Sequence, residues 1–199
     1  MKILFFDTET TGLYDFKAPP AAEHQPYLLQ LAAALCDGET EEEFASLNLL
    51  STINIEIPFD ASRIHGITND ITEAFGIAPE QILIPFLNLF IRADLIVGHN
   101  IEYDLSVLST AISRAAETTG LHHLDMKNGL SGKRKVCTMK LSTDICKIQG
   151  PRGNKWPKLT EAYQFFFNEG FEAAHSAMGD VRACKRIFFK LKELGYVTI

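Results

Sequence analysis

Over the first ten residues, side chains that face one side of an extended chain are Ile3, Phe5, Asp7 and Glu9, while Leu4, Phe6 and Thr8 face the other. Lys2 to Phe6 is therefore expected to be a strand, with two carboxylates, two residues apart, sharing a face at its end. Leu28 to Leu35 and Glu43 to Leu50 are short apolar runs bounded by turn-forming residues, which predicts two more strands in sequence. Ala78 to Arg92 keeps a helical apolar period broken only by Pro85, and Leu95-Ile96-Val97-Gly98 reads as a buried strand. Beyond it, Ile101 to about Ala116 is expected to be helical, Lys135 to Thr138 a further strand and Leu159 to Phe167 a short helix. A last helix is expected to begin at His175 or Ser176 and to stop at Gly195. Strands first and a helix-strand-helix alternation later predict an α/β fold with a mixed β-sheet flanked by α-helices.

Two of the helices carry an acid on their apolar side. Stepping by three and four from Asp104 meets Val107, Leu108, Ala111, Ile112 and Ala115; the same steps from Asp180 meet Ala183, Cys184, Ile187, Phe188 and Leu191. A core-facing carboxylate is expensive unless paired or bound to a cation, and each of these sits in a first helical turn. Either alone fits an acid favoured by the helix dipole. Together with Asp7 and Glu9 they read better as four acids converging on one site, where mutual repulsion asks for a divalent metal. His175 precedes Asp180 by five residues, about 140° around a helix, so it is placed on the turn leading in, suited to a general base near neutrality.

At 199 residues and 46% hydrophobic composition, the chain is expected to fold as one domain over residues 1–199. No apolar run is long enough for a membrane span, and Asp7 interrupts the first apolar run, so a soluble, cytoplasmic protein with no membrane contact is expected. Cys36, Cys137, Cys146 and Cys184 form no C-x-x-C pair and are read as reduced, mostly buried thiols. The net charge of −6 conceals an asymmetry: Lys127 to Lys158 holds nine basic residues against one acid, Asp144, so +8, leaving 10 basic and 24 acidic residues, −14, elsewhere. A polyanion could meet that basic stretch; a solvated loop around Asn128 to Lys135 is the plainer reading of part of it.

Three motifs in order resemble the DEDDh, or DnaQ-like, 3′→5′ exonuclease family: Asp7-Thr8-Glu9-Thr10-Thr11-Gly12-Leu13, then Gly98-His99-Asn100 with Tyr103-Asp104, then His175-Ser176-Ala177 with Asp180. The Ile-His-Gly-Ile-Thr segment of that family stands at Ile64 to Thr68, and the likeness runs from Lys2 to about Leu191. The resemblance implies a ribonuclease H-like fold, a single exonuclease domain, and catalytic residues Asp7, Glu9, Asp104, His175 and Asp180. It implies that Asp7, Glu9, Asp104 and Asp180 hold two divalent ions, Mg²⁺ or Mn²⁺, whose charge cancels that of the four carboxylates, with His175 taking a proton. Thr11, Gly12 and Leu13, completed by Ile64, His65, Asn100 and Tyr103, would then hold the terminal nucleotide; plain core packing is the alternative for Leu13, Ile64 and Tyr103.

The partner implied is a nucleic acid with a free 3′ end, single-stranded DNA before RNA, with nucleoside 5′-monophosphates as product. An RNA-trimming enzyme of the same family stays open, because discrimination at the 2′-hydroxyl depends on pocket shape. So does a polymerase partner, although Ile199 follows the last helix closely and a long tethering tail is not expected. A phosphatase using Asp7 as nucleophile would want Asp where Glu9 stands. A non-catalytic binding module would be expected to have lost an acid, and none is missing. Trp156, between Lys155 and Lys158, could stack on a base, against the commoner expectation of a buried Trp.

Overall fold

The computed structural model describes residues 1–119, 133–171 and 175–198. Its centre is β1 (Lys2–Thr10), which pairs antiparallel with β2 (Leu28–Asp37), itself antiparallel to β3 (Glu43–Leu50). On its other edge β1 pairs in parallel with β4 (Leu95–Gly98), and β4 with β5 (Arg134–Cys137), so the sheet order is β3-β2-β1-β4-β5. Seven helices are seen among the described residues: α1 (Phe59–His65), α2 (Asn69–Phe75), α3 (Pro79–Arg92), α4 (Ile101–Thr119), α5 (Thr138–Cys146), α6 (Leu159–Phe167) and α7 (Ala177–Glu193). A two-residue-per-strand hairpin, β6 (Gln149–Gly150) and β7 (Gly153–Asn154), joins α5 to α6.

The period-two pattern of β1 divides the core. Leu4 and Phe6 face α3 and α4 with Leu31, Ala33 and Ile96, whereas Ile3 and Phe5 face α7 with Ala32, Ala34 and Val97. Phe6 stands edge-on to Phe86 at 5.5 Å and Phe5 edge-on to Phe188 at 5.4 Å. Burying each such side chain is worth about 1.5–3 kcal/mol, so β1 is clamped from both faces and its far end is a rigid platform. A third apolar cluster joins α5, α6 and α7 through Cys146, Tyr163 and Ile187.

Most strand and helix expectations hold within a few residues, and the departures have physical causes. β1 runs on to Thr10 because its pairing with β2 continues through Asp7–Ala32 and Glu9–Gln30, so the acids lie inside the strand and not beyond it. Pro85 does not interrupt α3, which accommodates it as an internal residue. The seven-residue helices α1 and α2 and the hairpin are too short to show a period. α5 escaped because two of its four buried residues are polar, Thr138 and Ser142. Thr138 begins this helix and does not end a strand. Of the expected loop from Asn128 to Lys135, residues 128–132 lie outside the described residues, while Arg134 and Lys135 belong to β5.

Those basic residues are also held in place. The Lys133 ammonium donates to the carbonyls of Ile91, at 2.9 Å, and Ala93; Arg134 donates to the Thr198 carbonyl and Lys135 pairs with Glu102 at 2.7 Å. The four cysteines are free, Cys137 half-buried and the others buried. Among the described residues no helix is long and apolar enough to cross a membrane.

His99, after β4, ties three parts of this architecture together. Its Nε2 lies 2.9 Å from the Pro157 carbonyl, which can only accept, so Nε2 carries the proton and Nδ1 accepts from the Thr138 hydroxyl at 3.0 Å. Burial lowers its pKa to about 4, keeping the ring neutral. Replacing His99 by Ala removes both bonds and leaves a cavity, and is expected to cost about 2–4 kcal/mol in urea unfolding; a change below about 0.5 kcal/mol would show that the bridge contributes nothing.

Candidate active site

The acids gather at the end of β1. Asp7 and Glu9 point to the α7 face, where Asp180 projects from the first turn of that helix. One carboxylate oxygen from each of Asp7, Glu9 and Asp180 lies within 4.8 Å of the others. The start of α7 is fixed to the strands by Gln30, the cross-strand neighbour of Glu9, whose Oε1 accepts the Ala177 N–H at 3.2 Å. Asp180 N–H in turn donates to the Ser176 carbonyl at 2.9 Å.

Asp104 approaches from the opposite face. β4 stops at Gly98, so β1 has no strand partner on that side beyond Phe5, and the Thr8 backbone N–H donates to Asp104 Oδ1 at 3.0 Å. The Thr8 hydroxyl donates to the same oxygen at 2.7 Å. Asp104 is buried, yet its orientation is dictated by a residue between the two strand acids. A Cβ on Gly98 would stand 3.1 Å from Ile101 Cβ, which shows how closely this strand turns into α4. Asn100 completes the turn in the left-handed region at φ 72°, its carbonyl accepting the Tyr103 N–H at 2.8 Å.

Crowding and burial act on every one of these carboxyls. Burial, then the charges of Asp104, Asp180 and Glu9, push Asp7 well above the ordinary carboxylate range. Burial and the Asp180 and Asp104 charges raise Glu9 to about 8. Asp180 rises to about 6 through burial, offset by the His175 backbone N–H and imidazole. Asp104 is raised by burial against the two Thr8 hydrogen bonds. No lysine or arginine takes part in these shifts, so the site has a deficit of positive charge that hard oxygen donors satisfy best with a divalent cation.

His175 stands where the spacing placed it, on the turn before α7. It is exposed, held at φ 66°, and its N–H lies 3.4 Å from Asp180 Oδ1. Its ring is near enough to His65 to help lower the pKa of that residue, after the larger effect of burial. His65 accepts the Ile67 N–H on Nδ1 at 3.1 Å, and its buried Nε2 faces the Thr10 backbone, an interaction that opposes the lowering of its pKa.

The other expected substrate residues divide into two groups. Leu13 is 91% and Ile64 57% exposed, which rules out core packing for both. Thr11 is buried and its hydroxyl accepts the Tyr27 N–H at 2.9 Å, so its side chain extends the β1–β2 pairing. The Tyr103 and Thr10 hydroxyls are 2.5 Å apart and each 2.8 Å from the Gly12 carbonyl; one donates to it and the other to its neighbour. Burial pushes Tyr103 up to about 12, so it stays a donor that fixes the 10–13 turn. Sequence reasoning missed Thr8, Gln30 and Thr10. Strand alternation could have found Thr8, which faces Asp104, but no local signal marks Gln30.

Since the folded state raises Glu9 to about 8 and Asp180 to about 6, it binds more protons than the unfolded chain above pH 4. The stability this gives is present at low pH and lost as pH rises through those values. Melting of chelator-treated protein is therefore expected to fall from about pH 5 to pH 8, with Mn²⁺ restoring it. A melting temperature indifferent to both would mean that the acids do not repel one another.

Comparison with known proteins gives a consistent assignment. The family model described as exonuclease, RNase_T, matches residues 4–188. Among solved structures, E. coli exonuclease I in complex with a dA16 oligonucleotide is 19% identical over 96% of this chain and 41% of its own, with a TM-score of 0.71. The zinc-ion-bound E. coli exonuclease I–single-stranded DNA complex is 21% identical over 97% of this chain and 40% of its own, at 0.70. A moderately thermophilic exonuclease I from Methylocaldum szegediense is 19% identical over 96% and 40%, at 0.71. The chain thus spans about two-fifths of these neighbours, and at such identities the likeness shows a shared ribonuclease H-like fold. A search of curated protein sequences finds no match. With its three motifs folded onto one acidic centre and the family model covering residues 4–188, the chain belongs to the exonuclease family, that of the DEDDh, or DnaQ-like, 3′→5′ exonucleases.

Proposed function

We propose that residues 1–199 form one exonuclease domain that removes nucleotides one at a time from the 3′ end of single-stranded DNA, releasing nucleoside 5′-monophosphates. The observation that carries this reading is the set of three carboxylate oxygens within 4.8 Å, together with Asp104 locked beside them by Thr8. Asp7, Glu9, Asp104 and Asp180 would hold two divalent ions, Mg²⁺ or Mn²⁺. Such ions, when bound, make water a better nucleophile and stabilise charge on the departing 3′-oxygen.

The protein's own part is placement. The Thr8 hydrogen bonds orient the Asp104 carboxyl, and the Gln30 contact ties the start of α7, which carries Asp180, to the strands. His175, exposed at the mouth of the site, takes a proton from the attacking water as the oxygen bonds to phosphorus and the 3′-oxygen leaves. Exposed Leu13 and Ile64 offer apolar surface to the terminal nucleotide, backed by the turn that Tyr103 fixes. His65, next to Ile64, and Asn100, at the same strand end, would complete that pocket. DNA is favoured because the neighbouring E. coli enzyme is solved with dA16 and dT13 oligonucleotides.

With Mg²⁺ or Mn²⁺, a 5′-labelled DNA oligomer is expected to shorten stepwise; a blocked 3′ end or chelator should stop it. Faster shortening of matched RNA would move the assignment to an exoribonuclease, and shortening that survives chelation would remove the metal. Asp180→Asn is expected to lower turnover by more than about 10³-fold while the fold stays intact by circular dichroism. His175→Ala is expected to slow it by roughly 10²- to 10⁴-fold without weakening metal binding. Wild-type rates from either variant would contradict the role given to that residue.

A further inference from the structure

Trp156 is 63% exposed and makes no ring or cation contact with any described residue. An indole left in water is costly unless something covers it, and here its backbone is not loose. The next residue, Pro157, is buried and accepts from His99 Nε2 at 2.9 Å; the preceding residue, Lys155, donates its N–H to the Ile148 carbonyl at 2.9 Å and its ammonium to Glu161 at 2.6 Å. A rigid mount therefore presents a large flat ring to solvent.

The mount stands on the functional edge of the sheet. β1, β4 and β5 are parallel, so the end of β1 that carries the acids, the end of β4 that leads to His99, and the end of β5 that leads to Thr138 lie along one edge. Neighbouring strands are about 4.8 Å apart, which puts the His99–Pro157 link one to two strand spacings from β1. Charge changes along that edge. The acids occupy the end of β1, whereas α5 and the hairpin carry exposed Lys140, Lys147 and Arg152, none with an ion pair among the described residues. Asp144 is the one acid between residues 133 and 158.

We propose that this face is the track of the single strand upstream of its 3′ end: one base stacks on Trp156 while Lys140, Lys147 and Arg152 meet the phosphates. Stacking on an aromatic ring is indifferent to base identity, and cations beside it follow the backbone, the combination expected where a strand must slide as it is shortened. The inference rests on the exonuclease reading above for its substrate, but it assigns a surface that the hydrolytic site does not need.

Trp156 is the protein's single tryptophan, so its fluorescence reports this surface alone. The test uses the full chain carrying Asp7→Asn, to prevent turnover, titrated with single-stranded DNA of a dozen nucleotides and with a mononucleotide. The oligomer should quench the emission in a saturable way and the mononucleotide should not. By anisotropy of a labelled oligomer, Trp156→Ala should bind about tenfold more weakly and Trp156→Phe close to normally. Reversing the charge at Lys140, Lys147 and Arg152 should flatten the salt dependence of binding by a slope of about 2. Oligomer binding seen by anisotropy with unquenched tryptophan would overturn the track and leave the exonuclease reading standing. An undiminished affinity in Trp156→Ala would overturn it equally. Failure of the wild-type protein to shorten any oligomer would sink the exonuclease reading itself.

Discussion

The pleat of β1 governs the site. Because adjacent side chains on a strand point to opposite faces, Asp7 and Glu9 look toward α7 while Thr8, between them, looks toward α4. One strand end therefore collects Asp180 from one layer and fixes Asp104 from the other. A slip of one residue in the β1–β2 register would turn both acids into the α4 core and Thr8 away from Asp104. The two faces of β1 make such a slip prohibitive, since Phe5 and Phe6 would exchange their places against Phe188 and Phe86.

That rigidity explains how four carboxyls can be held in a repulsive arrangement. Each is displaced from its ordinary pKa chiefly by burial, and no lysine or arginine moderates the cluster. A flexible site would relieve the repulsion by rotating the acids outward. Here Thr8 holds Asp104 by two hydrogen bonds and Gln30 pins the N-terminus of α7, so the electrostatic cost is retained until cations neutralise it. The energy stored in that way favours metal over protons as pH rises.

Much of this was legible in the chain. The acids of the two strand positions and the two helix first turns could be read because period and charge conflict there: an apolar stripe headed by Asp104 or Asp180 has no structural reason to carry a carboxylate. What could not be read depends on contacts distant in sequence. Gln30 acts 147 residues away from Ala177, and Thr11 turns out to pair with Tyr27 because the chain reverses between them. Lys133, Arg134 and Lys135 look like a phosphate-binding run in the sequence but are committed to the carbonyls at the end of α3, to Thr198 and to Glu102. Charge counts along a chain do not distinguish a cation already engaged from one still free.

The same distinction separates the exposed apolar side chains near the site from ordinary surface residues. Leu13 follows a turn tied down by Tyr103 and Thr10, and Trp156 lies between two anchored neighbours. An exposed apolar group on mobile backbone can fold back over a neighbour and recover part of its hydration cost, whereas one on fixed backbone cannot. Holding such groups out in water is of use only if a ligand with apolar faces arrives to cover them. Nucleobases, borne on a chain whose phosphates the free cations attract, have that character, so the uncovered side chains and the charge pattern call for the same kind of partner.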